Sequence, residues 1–294
     1  MKSLIIEPPT WLGDAVMASG AIRALLDEIR PKRMILFGSF IATELLKSWF
    51  DEVMVIDKKH KFKQFVEFPR ADVFVSFRRS FYSKILGLKA KDSYFFSKSL
   101  KGHMVEKYSN YVNSIIGKNQ IYSPVLPFKP KKFQKPTIGI NPGATYGSAK
   151  RWYPEEFSKV ANELGKKYDV IIFGGPGEEE IAKDIEKNLT IKNYQNLCGK
   201  LTIKELCENI GGLDLFITND SGPMHIAAAF NVKIVAIFGP TNYKETSPWS
   251  DNYRIVTKNL ECAPCMKREC PLGHHRCMKE IKAKDVLNAC KEIL

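Results

Sequence analysis

Two segments of this 294-residue chain carry side chains that could hold and activate a phosphate. Asn141 to Phe157 reads NPGATYGSAKRWYPEEF. An apolar run, Thr137 to Ile140, enters a loop with Gly143, Gly147 and the pair Lys150-Arg151, and Pro154 followed by two acids then opens a helix. Glycines let a backbone approach a ligand, the lysine supplies counter-charge, and a helix start presents unpaired N–H groups. The GxxxxGK[ST] spacing of a Walker A loop is absent. Asp214 to Ala229, DLFITNDSGPMHIAAA, repeats the plan: a buried strand, a turn, and a small-residue helix that Asp220 or Ser221 of the turn could cap. The first amides of that helix and the Ser221 hydroxyl would form an anion site. Either segment alone reads as an ordinary strand-to-helix turn. Both in one domain, with Gly174-Gly175 after the strand DVIIF, point to a ligand at the carboxyl ends of parallel strands.

The amino-terminal stretch has the same order. SLII reads as a strand, EPPTWLGD as a loop, and AVMASGAIRALLDEI as a helix with Val16, Ile22, Leu25, Leu26 and Ile29 on one stripe. Asp14 then falls at or near the helix N-cap, where it is a cap, a reactive carboxylate, or both. FRRSFYSK, residues 77–84, comes after the strand DVFVS, and arginine forks suit carboxylates and phosphates.

The elements that must position these residues alternate strand and helix. Strands are expected at SLII, RMILF, EVMVI and DVFVSF, then at TIGI, DVIIF, DLFIT, KIVAIF and YRIV, the pattern of two doubly wound sheets. Residues 123–136, SPVLPFKPKKFQKP, hold four prolines and four lysines and divide the two. The organisation expected is 1–125 as a first domain, 126–136 as linker, 137–280 as a second domain and 281–294 as a closing helix. No run of 18 apolar residues occurs, and Glu7, Pro8 and Pro9 break the apolar start too early for a secretion signal, so a cytoplasmic protein is expected. Net charge is +13, and residues 58–107 hold thirteen Lys or Arg against four Asp or Glu. Such a field suits an anionic membrane face or an acidic sugar, and an ordinary solvated basic face is the alternative. Nucleic acid fits less well, because no helix-turn-helix, RRM, KH or zinc-finger pattern accompanies the charge.

WLGDAVMASGAIRAL, PGATYGSAKRW, FGGPGEEE, NDSGPMHIAAA and IFGPT stand in the order found in the ADP-heptose:lipopolysaccharide heptosyltransferases, which this chain resembles from about residue 4 to about residue 280. PGATYGSAKRW, RRSFYSK and the tail CPLGHHRCM look like the branch that adds the second inner-core heptose. The resemblance implies a glycosyltransferase-B fold of two Rossmann-like domains facing a cleft. It implies inverting transfer without a metal or other cofactor, from ADP-heptose to a heptosylated Kdo-lipid A acceptor at the inner membrane. It places Thr145, Lys150, Ser221 and Gly222 at the pyrophosphate, Gly174, Glu178 and Leu201 near ribose and adenine, and Asp220 and His225 at the sugar or phosphate. Asp14 becomes the base and Lys150 the group that stabilises the leaving phosphate. Arg79, Lys84 and His103 (in HMVEKY) become acceptor contacts, and the last helix packs back on the first domain. Rival readings are the enzyme adding the first heptose or another transferase of this fold, a nucleotide-sugar 2-epimerase, and a non-catalytic anionic-glycolipid binder. A dinucleotide redox enzyme lacks its GxGxxG after the first strand.

Seven cysteines occur, four as Cys262, Cys265, Cys270 and Cys277 with His274 and His275 among them. These are the ligand types of a structural zinc site, more tightly spaced than most, and reduced thiols in a compact loop are the alternative.

Overall fold

The computed structural model describes residues 3–97 and 99–294. Met1, Lys2 and, within the basic stretch 58–107, Lys98 lie outside them. The chain forms two compact units, Met1–Pro127 and Phe128–Leu294, so the division falls inside the proline–lysine segment.

In the first unit the elements run β1 (Ser3–Glu7), α1 (Leu12–Ile29), β2 (Arg33–Gly38), α2 (Phe40–Leu46), β3 (Glu52–Val55), α3 (Lys61–Glu67), β4 (Ala71–Ser76), α4 (Phe81–Gly87), β5 (Ala90–Phe95) and α5 (Met104–Ile116). The sheet order is β3-β2-β1-β4-β5 and every pairing is parallel. Sequence alternation of strand and helix dictates this, because a parallel neighbour can be reached only by a crossover. The chain winds outward from β1 on one side, then returns to β4 on the other, so the order reverses between β1 and β4. The loops after those two strands therefore flank the switch point, where a doubly wound sheet opens a crevice. Ile5, Ile35, Phe37, Phe68, Phe74 and Leu86 make a core on one face, with Phe37–Phe68 and Phe68–Phe74 rings edge to face at 5.0 and 6.0 Å.

The second unit repeats the plan with β6 (Thr137–Asn141), α6 (Pro154–Leu164), β7 (Asp169–Ile172), α7 (Glu179–Glu186), β8 (Tyr194–Asn196), α8 (Ile203–Gly211), β9 (Leu215–Asn219), α9 (Gly222–Ala229), β10 (Lys233–Ile237), α10 (Tyr243–Thr246), β11 (Tyr253–Val256), α11 (Arg276–Lys279) and α12 (Ala283–Ile293). Its parallel order is β11-β10-β9-β6-β7-β8, with the reversal between β6 and β9. Trp152 is fully buried, donates from Nε1 to Ile281 O at 3.0 Å and stacks edge to face on Phe157 at 4.8 Å. That anchor fixes the chain just after the cationic loop. The closing helix α12 packs on β10, β11 and α6 of the second unit. Its buried face, Val286, Ala289 and Cys290, belongs to that unit's core.

Candidate active site

The two phosphate-type loops meet because β6 and β9 are neighbours, paired Ile138 to Leu215 through Asn141 to Thr218. Side chains stitch the loops together. Asn219 Nδ2 donates to Pro142 O at 2.7 Å, and Trp152 N donates to Asn219 Oδ1 at 3.2 Å. Asn141 Nδ2 donates to Ser221 Oγ at 3.2 Å, and Ser221 Oγ lies 3.1 Å from Thr218 Oγ1. Ser221 holds the N-cap position of α9 but makes no side-chain cap bond, because its hydroxyl is turned to Asn141 and Thr218. Ser221 therefore gives the start of α9 no side-chain cap, a condition that suits a helix start to an anion.

Asp220 does not cap the helix either. Its Oδ2 lies 2.5 Å from Lys150 Nζ and accepts from Thr241 Oγ1 at 2.6 Å. Lys150 ends a short 3-10 turn, Ser148–Lys150, and its ammonium also sits 4.7 Å from the centroid of the Tyr146 ring. The side chains of Lys150 and Asp220 are 13% and 5% exposed, so the cation is largely desolvated and fixed, with a remaining face open. Asp220, which the resemblance puts at the sugar or phosphate, thus also holds the lysine. Buried His225 stands in the first turns of α9, and Thr145 is exposed at the tip of the first loop.

A third loop leaves β7, next to β6 on the other side. Gly175 N donates to Glu178 Oε2 at 2.8 Å, which folds the carboxylate back under the loop. A Cβ on Gly143 would collide with the Glu178 carboxylate, and one on Gly174 with Cys198 Sγ. These glycines are there to admit neighbouring side chains. Glu178 is buried, and its Oε1 has no hydrogen-bond partner among the described residues. A buried carboxylate oxygen without a donor is costly, so this one is a ready acceptor for a ligand hydroxyl. Leu201 is half-buried just ahead of α8.

The cysteine-rich segment props the lysine loop from behind. Ala149 N donates to Arg268 O at 3.0 Å, and Tyr146 Oη donates to Met266 O at 3.0 Å. His275 Nε2 lies 2.8 Å from Ala149 O and its Nδ1 3.1 Å from Tyr153 Oη, so one imidazole grips the chain on both sides of Lys150. The amide of His275 in turn donates to Cys270 Sγ at 3.4 Å, and this and neighbouring amides lower the Cys270 thiol below its usual range. Burial, and then the nearby Cys265, Cys270 and Cys262, push Cys277 up to about 11. No three His, Cys, Asp or Glu side chains among the described residues are gathered as ligands of one metal. Sequence inspection missed the clamping role of His275, and also Asn141, Asn219, Thr241 and Tyr146, because each acts through a contact more than twenty residues away.

In the first unit, α1 begins at Leu12 with Trp11 at the N-cap, so Asp14 is the third helical residue and not the cap. The helix reaches further back into the loop EPPTWLGD than its apolar periodicity suggests. One Asp14 oxygen, Oδ1, accepts from Tyr108 Oη at 3.2 Å, and Tyr108 is buried against Phe77 and Phe96. Burial first, then Asp14 itself, raise the Tyr108 phenol well above its usual value, so it remains a neutral donor. At the end of β1, fully buried Glu7 takes Ser76 Oγ at 2.5 Å and Arg78 Nη1 at 3.0 Å. Desolvation holds the Glu7 carboxyl above its ordinary value despite these partners. Arg79 and Lys84 are exposed on the loop and helix after β4. His103 is buried and caps α5, accepting at Nδ1 from Val105 N at 3.2 Å while Glu106 bonds back to the His103 amide at 2.7 Å. Its Nδ1 is therefore committed to the helix cap.

Two doubly wound parallel units, each with a topological switch point, define a protein of the glycosyltransferase-B type. Residues 91–276 match glycosyltransferase family 9 (heptosyltransferase). Lipooligosaccharide heptosyltransferase 2 of Campylobacter jejuni serotype O:2 is 43% identical over 316 residues, covering 99% of this chain and 98% of that protein. The chain belongs to glycosyltransferase family 9, the heptosyltransferases. Among solved structures, Escherichia coli ADP-heptose lps heptosyltransferase II superposes with a TM-score of 0.83 at 23% identity, covering 100% of this chain and 98% of the other. A UDP-GlcNAc 2-epimerase from Methanocaldococcus jannaschii shares the fold at a TM-score of 0.54 and 12% identity. The fold alone therefore does not separate transfer from epimerisation; membership of the family does.

Proposed function

We propose that this chain transfers heptose from ADP-heptose to heptosylated Kdo-lipid A, inverting the anomeric configuration and using no metal, at the anionic face of a membrane. The observation that carries the reading is Lys150, held by Asp220 and the Tyr146 ring beside the uncapped start of α9. A fixed cation and fixed amides together answer the charge that appears on a leaving diphosphate, a task that a divalent ion performs elsewhere. An ammonium has three donors, and Asp220 occupies one, so phosphate oxygens can use the others. Thr145, Ser221 and Gly222 complete the pyrophosphate site, His225 stands at its rear, and Gly174, Glu178 and Leu201 take the nucleoside. Relatives named heptosyltransferase 2, at 43% and 42% identity over almost the whole chain, favour the second inner-core heptose over the first.

The transfer is a single displacement. The acceptor hydroxyl gives its proton to the Asp14 carboxylate as its oxygen bonds to the anomeric carbon. The bond from that carbon to the phosphate oxygen breaks, and ADP leaves with the electron pair beside Lys150. Arg79 and Lys84 pair with acceptor carboxylates and phosphates.

Incubation with ADP-heptose and heptosylated Kdo-lipid A should add one heptose mass to the lipid and release one ADP. ADP release that does not depend on the acceptor would overturn the reading in favour of epimerisation or hydrolysis. Within the same scheme, Glu178→Gln should weaken ADP binding by about tenfold, the worth of one hydrogen bond to a charged acceptor, and leave kcat nearly unchanged. Calorimetry of ADP binding checks this, and an unaltered affinity would remove Glu178 from the nucleoside site.

A further inference from the structure

Helices α3 and α4 are apolar on two faces, which an ordinary surface helix is not. On the inner face, Phe65, Tyr82 and Leu86 pack on the first unit's core. On the outside, Phe62 is 81%, Val66 61%, Phe81 79% and Leu88 81% exposed. Phe62 and Val66 are four residues apart, and Phe81 and Leu88 seven apart, so each pair shares one helical face. The helices lie side by side and in the same direction. Tyr82 Oη donates to Lys61 O at 3.0 Å near their starts, and Lys89 Nζ donates to Val66 O and Phe68 O at 2.9 Å near their ends. Phe62 and Phe81 thus belong to one end of the pair, Val66 and Leu88 to the other.

The charge around them has one sign. Residues 58–91 contain ten Lys or Arg and two Asp or Glu, an excess of eight positive charges. Lys61 and Lys89 lie over the Tyr82 and Phe65 rings at 5.8 and 4.7 Å, so their cations rim the apolar strip. A second copy of the chain would set this excess against itself, and a neutral apolar partner would leave it unanswered. A surface with negative headgroups over an apolar interior answers both features at once.

We propose that the outer face of α3 and α4 docks on an anionic phospholipid bilayer, with Phe62, Val66, Phe81 and Leu88 entering the headgroup boundary and the surrounding lysines meeting the phosphates. This deepens the proposed function, since an acceptor that is a membrane lipid must be met at a bilayer. Binding is nevertheless tested without donor or acceptor, so the two readings fail separately. No helix among the described residues is long and apolar enough to cross a membrane, and the docking is peripheral.

The test is sedimentation of the whole chain with vesicles of phosphatidylglycerol and phosphatidylcholine, against vesicles of phosphatidylcholine alone. Wild type should partition at least tenfold more strongly to the anionic vesicles. Phe62→Ser/Phe81→Ser/Leu88→Ser should lose about tenfold of that partition at unchanged melting temperature, with unchanged turnover on acceptor dispersed in detergent. Equal partition of wild type and triple variant overturns the proposal, as does absence of wild-type binding to the anionic vesicles. A dimer that light scattering detects in wild type and not in the triple variant would also overturn it, by assigning the strip to a second copy.

Discussion

Lys150→Ala should lower kcat by about 10²–10³-fold, a loss of the size seen when one preorganised donor to a developing oxyanion is removed. The lysine's charge is present in both ground and transition states, but the negative charge it meets grows only as the glycosidic bond breaks. Donor affinity should therefore fall less than turnover. The structure adds a complication, because removing the ammonium leaves Asp220, 5% exposed, with Thr241 as the donor to the same oxygen and facing incoming phosphate. A lone buried carboxylate costs stability and repels the donor. Lys150→Ala/Asp220→Asn removes that second effect. It should regain donor affinity relative to the single variant and stay as slow at saturation. If the double variant recovers kcat, the single variant's defect was repulsion by Asp220, and Lys150 does not act on the leaving group. If donor affinity collapses in both while kcat at saturation stays normal, Lys150 is a binding clamp. EDTA should leave the wild-type rate unchanged, and strong dependence on Mg²⁺ would remove the reason for assigning the leaving group to this lysine.

The same residues show what could be read from the chain and what could not. Central strands β1, β4, β6, β9 and β10 are buried on both faces and read as apolar runs, so both sheets were legible as doubly wound. Strands β5 (AKDSYF) and β8 (YQN) escaped because they are edges: each borders a single neighbour, and their exposed faces hold polar residues that break the apolar signal. The two strand–loop–helix segments were legible from glycine, lysine and the helix start. Their mutual support was not, since the contacts of Asn141 with Ser221, Asn219 with Pro142 and Lys150 with Asp220 span seventy to eighty residues. Two local features were not legible: the His103 ring nitrogen meets the Val105 amide as a helix cap, and α1 starts at Leu12, three residues before Ala15, which puts Asp14 in its first turn. The cysteines gave a metal-like spacing, and the fold uses that segment to brace the Ala149 carbonyl through His275.

Asp14→Asn is expected to cost at least 10²-fold in kcat while the protein stays folded. An ordinary alternative for an aspartate near a helix start is capping, and the structure weakens it. Trp11 holds the N-cap position without a side-chain cap bond, and Asp14 lies in the first turn, where its stabilising effect is a charge interaction with the helix dipole. That interaction is worth about 0.3–1 kcal/mol, so the melting temperature should fall by no more than about 4 °C in a chain of this size. Asparagine retains an oxygen at the Oδ1 position to accept from Tyr108, so the buried tyrosine keeps its partner and the aromatic group around it need not rearrange. What the substitution removes is the ability to take a proton from the attacking hydroxyl, an effect of about 10²–10⁴-fold for general base catalysis. Calorimetry should show ADP binding unchanged, because Asp14 lies in the first unit and the nucleotide is assigned to the second. A variant that melts within a few degrees of wild type and turns over at a near-wild-type rate would leave Asp14 with a structural role only, at the helix start and as the acceptor for Tyr108. The proton would then have to leave by another group, and buried Glu7, held by Ser76 and Arg78, would be the next carboxylate to test.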